Sequence, residues 1–313
     1  MQPLIVSELS HRALRRALAG PGLRLRTGPV VTVLHSHLDG VWRGIRLHYA
    51  NHPIEPETGF ADFHVRIDRP GTLRRWIRPQ VAFEFDGTQP FAPLPCSQGF
   101  AMLEWGMNWC VSAHCHQFLM LHAGVVARDG RALVLPAPSG SGKSTLTAGL
   151  ALRGWRLLSD ELALIDLRTG RIVPLPRPIS LKNASIDVIR AFAPAAVFGP
   201  VVHDTTKGDV AHLQPPPQAV RTAFEDAAPT WIALPRYVAD TPPRLAPLSK
   251  GRALMHLVEN AFNYNIHGRH AFATLSDLVD RVQCHEFTYG RLDDAIACFD
   301  ALAQRPAHGH GTD

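Results

Sequence analysis

The sequence has no apolar run long enough to cross a bilayer, which takes about 18 to 20 residues. Its first twenty residues also lack the apolar core of a secretory signal and have the spacing of a short amphipathic helix. These absences predict a protein with no membrane partner. With 46% hydrophobic and 19% charged residues, the 313-residue chain has the composition of a globular protein that can bury one or two cores.

Cysteine is also scarce, and the five that occur are widely spaced: Cys96, Cys110, Cys115, Cys284 and Cys298. An odd, scattered set does not form the disulfide framework of a small secreted protein. We therefore expect a cytoplasmic protein with reduced thiols. Two histidines lie beside Cys110 and Cys115, but no second Cys/His pair follows at zinc-finger spacing, so no structural zinc site is predicted.

Lysine is scarcer than arginine. Of 32 basic residues, 28 are arginine, and the four lysines are Lys143, Lys182, Lys207 and Lys250. The arginines are spread along the chain, so the net charge of +5 indicates a mildly basic surface without a nucleic-acid partner. Each lysine lies in or beside a segment that contains Gly, Ser or Pro. Because a compact ammonium suits phosphate oxygens, we expect the last three to face the same edge of the protein as Lys143.

Residues 132–161 contain the clearest candidates for a ligand-binding site. An apolar run of buried-strand character is followed by a Gly/Ser loop and then by leucines at helical spacing. A strand, a Gly-rich loop and a helix N-terminus together form the P-loop context that binds nucleotide phosphates. We expect Lys143 to reach the β- and γ-phosphates of ATP and Ser144 to bind Mg²⁺. The predicted nucleotide-binding residues are Ser139, Gly140, Ser141, Gly142, Lys143, Ser144 and Thr145.

Two carboxylates follow the next predicted strand. Asp160 lies 17 residues after Lys143, across one predicted helix and one predicted strand, and Glu161 follows it. A right-handed crossover would make the two strands parallel, so that both carboxyl ends meet at one edge of the sheet. One carboxylate can then bind Mg²⁺ while the other accepts the proton of an attacking hydroxyl. We expect Asp160 to accept the proton, and Glu161 and Ser144 to bind the metal. Asp160 is a further candidate metal ligand, and the reverse division of roles between the two carboxylates stays open.

The loop and the acidic pair resemble the HPr kinase/phosphorylase fold, which phosphoenolpyruvate carboxykinases share. In that family a loop of the form G-x-S-G-x-G-K-S is followed by two acidic residues, as residues 138–144 and 160–161 are here. The family also carries a histidine about fifteen residues before the loop, where this chain has His122. The resemblance therefore implies that His122 helps in proton or phosphate handling.

The phrases LHAGVVARDGRALVLPAPSGSGKST, RGWRLLSDE and ENAFNY resemble more closely the group called HprK-related kinase A, over roughly residues 60–300. This resemblance implies an ATP-dependent kinase for serine in a protein or peptide, accompanied by a small peptide chaperone, and it is compatible with a homo-oligomer. The acidic pair is Asp-Glu rather than Asp-Asp, and the EIRGLG-type signature of true HPr kinase/phosphorylases is absent. Neither HPr as substrate nor a phosphorylase activity is therefore implied.

The predicted fold is α/β, an HPr kinase-like P-loop domain behind a smaller β-rich domain. Alternating residues between 22 and 87 predict strands, one of them over residues 42–49, and residues 196–219 are expected to be a loop over the active edge. We expect Arg177 and Arg236, with Lys182, Lys207 and Lys250, to contact substrate or phosphate. The predicted parts are a β-rich domain (1–97), a connecting helix (98–121), the P-loop kinase domain (122–305) and a disordered tail (306–313).

Two other functions stay open on the sequence. A small-molecule phosphotransferase of the same fold would have a closed, Arg-lined acceptor pocket. A nucleotide-gated binding module without transfer would bind nucleotide even after loss of Asp160. The residues do not choose among ATP, GTP and pyrophosphate as donor, and they do not name the acceptor.

Overall fold

The computed structural model of the chain describes residues 3–71, 79–138 and 140–305. Ser139 and the predicted disordered tail over residues 306–313 lie outside these ranges. Within them, no helix is both long enough and apolar enough to cross a membrane. The architecture is mixed α/β, with three separate sheets.

The N-terminal region is a five-stranded sheet in the order β1–β2–β3–β4–β5. Its strands are β1 (Leu23–Thr27), β2 (Val30–His35), β3 (Phe63–Asp68), β4 (Gln80–Phe85) and β5 (Leu94–Pro95). Two helices pack on it, α1 (His11–Ala19) and α2 (Asp39–His48). The predicted strand over residues 42–49 is wrong, because Val41, Ile45 and His48 lie at helical spacing and are buried together on one face of α2.

Helix α3 (Gly99–His114) joins this region to the rest of the chain. It buries Met102, Leu103 and Met107 in the same core as the first sheet. The predicted helix extended to residue 121, but α3 ends at His114 and the next strand begins at Phe118. The overrun came from reading an apolar segment as helix, whereas residues 118–121 pair with a neighbouring strand.

An eight-stranded sheet forms the centre of the C-terminal region, in the order β10–β9–β6–β7–β14–β16–β15, with β8 also paired to β6. Its strands are β6 (Phe118–Arg128), β7 (Arg131–Pro136), β8 (Arg156–Ser159), β9 (Leu162–Asp166), β10 (Ile172–Val173), β14 (Ala228–Tyr237), β15 (Arg244–Pro247) and β16 (Gln283–Tyr289). Strand β14 runs parallel to both β7 and β16. The continuous apolar run of β7 is buried along nearly its whole length, as expected for a central strand.

Two hydrophobic cores cover the faces of this sheet. Helices α4 (Lys143–Leu152) and α10 (Leu292–Gln304) bury Leu146, Leu150 and Phe299 on one face. Helices α7 (Lys250–Glu259) and α9 (Arg269–Arg281) bury Leu257 and Leu275 on the other. The shorter helices are α5 (Ala184–Phe192), α6 (Pro217–Arg221) and α8 (Tyr264–His267).

The two strands joined through α4 run in the same direction, as predicted, but another strand lies between them. Strands β7 and β8 are each antiparallel to β6, so they run the same way with β6 between them. Their carboxyl ends therefore meet at one edge of the sheet, as predicted. On β6, Ala123 lies opposite Pro136 and His122 lies opposite Leu162, which places the histidine at that same edge.

A small antiparallel sheet lies beside this edge, in the order β11–β13–β12. Its strands are β11 (Ile179–Lys182), β12 (Val202–Thr205) and β13 (Gly208–Leu213). The expected loop over residues 196–219 is therefore wrong in part, because β12 and β13 form a hairpin. The Thr205 hydroxyl donates to the Gly208 carbonyl and accepts from the Lys207 N–H, and these bonds fix the turn that carries Lys207.

A buried, fully paired cluster joins the two regions; we call Arg177, Glu104, Asn108 and Tyr49 the joint. The Arg177 guanidinium donates to the Glu104 carboxylate at 2.8 Å and to the Asn108 side-chain oxygen at 2.7 Å. The Tyr49 hydroxyl donates to the other Glu104 oxygen at 2.6 Å. The side chains of Arg177 and Glu104 are only 6% and 4% exposed. The expectation that Arg177 binds a ligand is wrong, because these bonds already occupy its guanidinium.

Candidate functional site

The segment that leads from β7 to α4, here the glycine loop, is described at residues 137–138 and 140–142. Gly140 and Gly142 have φ of 88° and 90°, in the left-handed region that favours glycine. A Cβ at Gly142 would come within 2.5 Å of the Tyr289 hydroxyl. That hydroxyl donates to the Gly142 carbonyl at 2.9 Å, and the Tyr237 N–H donates to the Ser141 carbonyl at 3.0 Å. The glycine loop is therefore held against the ends of β14 and β16.

Helix α4 begins directly at the end of the glycine loop. The N–H groups of its first turn have no partner within the helix and carry the positive end of its dipole. Ser144 and Thr145, on that turn, are half-buried. A Gly-rich loop that leads into a helix N-terminus is a general site for phosphate groups. The predicted residues from Gly140 to Thr145 thus lie together in a shape suited to an anion.

Lys143, His122 and Glu161 form a chain of polar contacts at the same edge. The Lys143 ammonium donates to His122 Nε2 at 2.8 Å, and His122 Nδ1 lies 3.4 Å from a Glu161 oxygen. Since Nε2 accepts, a neutral His122 ring carries its proton on Nδ1, facing the carboxylate. Burial and the Lys143 charge lower the pKa of His122, which keeps the ring neutral at neutral pH.

Asp160 is the least satisfied side chain of the site. It is 4% exposed, and neither carboxylate oxygen has a hydrogen-bond partner in the described part of the chain. Burial and the neighbouring Glu161 charge raise the pKa of Asp160 to about 7, against the opposing effects of Lys143 and the Ser144 hydroxyl. A buried carboxylate without a partner is costly unless a cation joins it.

Mg²⁺ fits the pair formed by Asp160 and Ser144. A P-loop hydroxyl together with a carboxylate from a neighbouring strand end is a usual Mg²⁺-binding pair beside nucleotide phosphates. Groups of three or more His, Cys, Asp or Glu side chains that could hold a metal ion do not occur within the described ranges. Mg²⁺ needs no such group, because it is usually bound by one or two carboxylates plus phosphate oxygens and water.

Glu161 faces a different environment from Asp160. Burial alone would raise the pKa of Glu161, but Lys143, His122 and two further lysines lower it below its usual value. Glu161 is therefore ionised at neutral pH. Together with His122 it lines a cavity of about 410 Å³, and Asp160 is not part of that lining. Of the two adjacent carboxylates, only Glu161 therefore lines this cavity.

Two of the three remaining lysines reach this edge. Lys182 at the end of β11 and Lys207 in the hairpin turn both contribute to the lowered pKa of Glu161. The Lys207 ammonium lies 5.7 Å from the centre of the Trp105 ring. Burial and the Lys182 charge lower the pKa of Lys207, whereas Glu161 raises it. The structure therefore brings Lys182 and Lys207 together beside Glu161.

Lys250 does not join them. Its ammonium donates to the carbonyls of Val279 and Val282, where α9 ends and β16 is about to begin. Because β16 runs in the same direction as β7, this is the edge opposite the glycine loop. The expectation that Lys250 faces phosphate is wrong, since its cation caps a helix C-terminus instead. Arg236 is exposed near the carboxyl end of β14, one residue before Tyr237.

The cavity beside Glu161 was not foreseen in this form. A closed, Arg-lined pocket was one sequence-based expectation, yet among the described residues no arginine lines the cavity. Its lining is largely aromatic and polar: Glu104, Trp105, Asn108, Trp109, Ser112, His122, Glu161, Leu162, Pro178, Ser180, Lys207, His212 and Phe262. The site residues that the sequence interpretation missed are mainly these aromatic ones and the two tyrosines that hold the glycine loop. Among them, Phe262 has a signal in the sequence, because it falls in the resembling phrase ENAFNY.

No protein-family model matches this sequence, and no curated protein matches it. Among solved structures, one described as the Hpr(Ser) kinase/phosphatase from Coxiella burnetii matches with 11% sequence identity and a TM-score of 0.25. The match covers 59% of this chain and 97% of that chain. Because a TM-score this low carries no argument, the function of the chain has to be inferred from its own residues.

Proposed function

We propose that this protein transfers the γ-phosphoryl group of ATP to a hydroxyl group, as a Mg²⁺-dependent kinase of the HPr kinase-like type. The observation that carries the proposal is the meeting of three features at one sheet edge. These are the glycine loop at a helix N-terminus, the Lys143–His122–Glu161 chain, and the unpartnered Asp160 carboxylate. The first two features place N–H groups and a cation where phosphate oxygens would meet them, and the third is a buried carboxylate without a hydrogen-bond partner among the described residues.

The donor side consists of the glycine loop, Lys143, Ser144 and Asp160. The N–H groups of the loop and of the first turn of α4 bind the phosphate oxygens, and the Lys143 ammonium neutralises them. Ser144 and Asp160 bind Mg²⁺, which when present offsets the negative charge of the phosphates. The raised pKa of Asp160 belongs to a buried carboxylate whose charge Lys143 compensates only in part.

The acceptor side consists of Glu161 and His122. Glu161 is ionised and lines the cavity, so it can accept the proton of an incoming hydroxyl. His122 orients Glu161 through Nδ1 and links it to Lys143. This division reverses the roles expected from the sequence, where Asp160 was the base and Glu161 the principal metal ligand. Lys182 and Lys207 add positive charge where negative charge spreads during transfer.

Two acceptor classes follow from different observations. The sequence resemblance implies serine in a protein or peptide, with a small chaperone to present it. The cavity of about 410 Å³ instead favours a small-molecule alcohol, since it lies in the size range of small-ligand pockets. The ionised Glu161 at the cavity argues for transfer rather than for a module that only binds nucleotide.

The donor site is tested by titrating Mg·ATP into the Lys143→Ala variant in a calorimeter. We expect affinity to fall by roughly 10- to 100-fold or more, because a charge-assisted contact to phosphate is lost. Lys250→Gln is the matched control, since this lysine lies at the opposite edge and should leave affinity unchanged. If folded Lys143→Ala binds Mg·ATP as tightly as the wild-type protein does, the proposed donor site is wrong.

Transfer itself is tested with γ-labelled ATP and size-fractionated cell extract. Label that enters a protein or peptide fraction supports the serine acceptor, and label that enters a metabolite fraction supports the small alcohol. Label that appears only as inorganic phosphate, at an unchanged rate in every fraction, would contradict phosphoryl transfer to a hydroxyl acceptor.

A further inference from the structure

We propose that the cavity beside Glu161 is the acceptor pocket and that it takes a small, oxygen-rich ring alcohol, such as a sugar, a cyclitol or a cyclic hydroxy acid. The inference rests on the proposed phosphoryl transfer and adds to it the chemistry of the acceptor. It depends on three properties of the cavity: its position against the base, its aromatic walls, and its unpartnered polar atoms.

The position of the cavity is fixed by two different parts of the chain. His122 and Glu161 line it from the sheet edge, and Trp105 and Trp109 line it from helix α3. A molecule in the cavity therefore lies between the base and the helix that connects the two regions. An acceptor hydroxyl that points toward the sheet edge meets Glu161, not Asp160.

The walls provide aromatic surface for a ring. Trp105 and Trp109 come from α3, and Phe262 comes from the segment between α7 and α8. The Phe262 ring meets the His122 ring edge-on, with 5.9 Å between the ring centres. Aromatic faces carry negative charge density, which attracts the C–H groups on the flat side of a saturated ring. Such walls favour a compact ring over a flexible charged chain.

Three residues of the lining also carry buried polar atoms without partners. These atoms are Trp105 Nε1, Ser180 Oγ and His212 Nε2, none of which has a hydrogen-bond partner in the ranges that the structure describes. The residues Ser180 and His212 are only 8% and 3% exposed. Buried polar atoms in native proteins are nearly always paired. Three residues of one lining therefore carry an unpaired polar atom, and small side-chain rotations toward the cavity would let a bound ligand pair them.

The hydrogen-bonding capacity of these groups favours a ligand that carries oxygen atoms. The Trp105 N–H can only donate, the Ser180 hydroxyl can donate or accept, and the Lys207 ammonium beside Trp105 can only donate. A donor-rich lining pairs best with hydroxyl, ether or carboxylate oxygens. Two other polar groups of the lining, Glu104 and Asn108, are already bonded to Arg177 and are not needed for recognition.

The pocket is tested by saturation-transfer NMR on the full-length protein, with Mg²⁺ and a non-hydrolysable ATP analogue bound. Three probe panels are compared: hexoses and cyclitols, cyclic hydroxy acids, and short serine-containing peptides. We expect binding from one of the first two panels and none from the peptides. The panel that binds also separates the carbohydrate source from the hydroxy-acid source.

Two conservative variants test whether the probe binds in this cavity. Trp105→Phe keeps a ring but removes the N–H, and Ser180→Ala removes only the hydroxyl. Each should weaken the bound probe by about 5- to 10-fold, as expected for loss of one hydrogen bond. Trp42→Phe, on helix α2 and outside the cavity lining, is the control and should bind the probe as wild type does.

Two outcomes would contradict the proposed acceptor pocket. One is no binding from the first two panels, whether or not the peptides bind, and the other is a probe affinity that does not change in either cavity variant. Affinity for the ATP analogue is measured in the same samples by calorimetry. If the analogue binds while the pocket prediction fails, the acceptor inference is wrong and phosphoryl transfer stands. If the analogue does not bind even to wild-type protein, the proposed function itself fails.

Discussion

Two clusters of buried charge in the described part of the molecule differ in how their charges are paired. In the joint, Arg177, Glu104, Asn108 and Tyr49 bond to one another through short contacts. At the glycine-loop edge, Asp160 is as deeply buried as Glu104 but has no hydrogen-bond partner among the described residues. The two carboxylates have nearly the same exposure, so burial alone does not distinguish a structural acid from a functional one.

The two carboxylates differ in whether they have bonded partners within the folded chain. Burial raises the pKa of both carboxylates, but Arg177 and Tyr49 bond directly to Glu104, and these partners lower its pKa and compensate its charge within the folded chain. Asp160 is compensated only in part, by Lys143 and Ser144, and its pKa is raised to about 7. An uncompensated carboxylate reduces stability, and it persists in a native fold where a ligand or metal completes it. The joint therefore connects the two regions, and the edge is where we propose that substrates bind.

The largest expected effect comes from breaking the joint. Arg177→Ala leaves the Glu104 charge buried without its cation, and this should lower the free energy of unfolding by roughly 3–5 kcal/mol. Urea denaturation followed by tryptophan fluorescence measures the change. Arg236→Ala is the matched control, because this exposed arginine should change stability by no more than about 0.5 kcal/mol. Equal, small effects of both variants would mean that the joint does not hold the regions together.

The next effect concerns the base. Glu161→Gln keeps the shape of the side chain but cannot accept a proton, so turnover should fall by roughly 10²–10⁴-fold. Affinity for Mg·ATP should change little, because Glu161 faces the acceptor cavity. Asp160→Asn should instead weaken Mg²⁺-dependent nucleotide binding. If Asp160→Asn lowers turnover at saturating Mg·ATP while Glu161→Gln does not, the original assignment of Asp160 as base is the right one.

An effect that is smaller per residue should appear with pH in the histidines around the joint. Burial lowers the pKa of His48 and of His52 to about 4, and burial with the neighbouring His48 charge lowers that of His212 to about 3. The unfolded chain takes up protons below about pH 6.5, whereas the folded chain stays neutral there. Stability is therefore full above pH 6.5 and falls as the pH drops toward 4, by up to about 2 kcal/mol per histidine at pH 5.

Urea denaturation at pH 7.5 and pH 5 measures this loss. His48→Gln removes one of the titrating groups, so the difference between the two pH values should shrink by up to one histidine's share. His64→Gln is the control, since His64 is exposed on β3. If His48→Gln and His64→Gln show the same pH dependence as wild type, the buried histidines do not contribute to acid sensitivity.

Local pattern was enough to predict much of the site. The buried strand β7, the glycine loop, α4 and the strand end that carries Asp160 are consecutive in the sequence, and their spacing fixes one edge of a sheet. The assignment of nucleotide and Mg²⁺ to this edge stays a prediction.

The errors arose where a distant partner decides a residue's role. Arg177 follows the same kind of Pro-rich segment that favours ligand contact, but Glu104, 73 positions earlier, occupies its guanidinium. Lys250 was grouped with Lys182 and Lys207 by rarity alone, yet the carbonyls that it caps belong to residues 279 and 282. Helix α2 was read as a strand because its alternating polarity also fits helical spacing. The outcomes at Arg177 and Lys250 cannot be read from the residues next to them, whereas α2 is a local pattern that fits both a strand and a helix.

The most direct test of the account compares two matched substitutions, Asp160→Asn and Glu104→Gln. Each removes one buried charge without changing the side chain's shape, and unfolding free energy is measured at pH 8 without nucleotide or Mg²⁺. Folding raises the pKa of Asp160 from about 3.9 to about 7, so its ionised form opposes folding at pH 8. We predict that Asp160→Asn is more stable than wild type, by on the order of 1–4 kcal/mol, and that Glu104→Gln is less stable. If Asp160→Asn is destabilised as much as Glu104→Gln, Asp160 is a structural acid and the central claim is wrong.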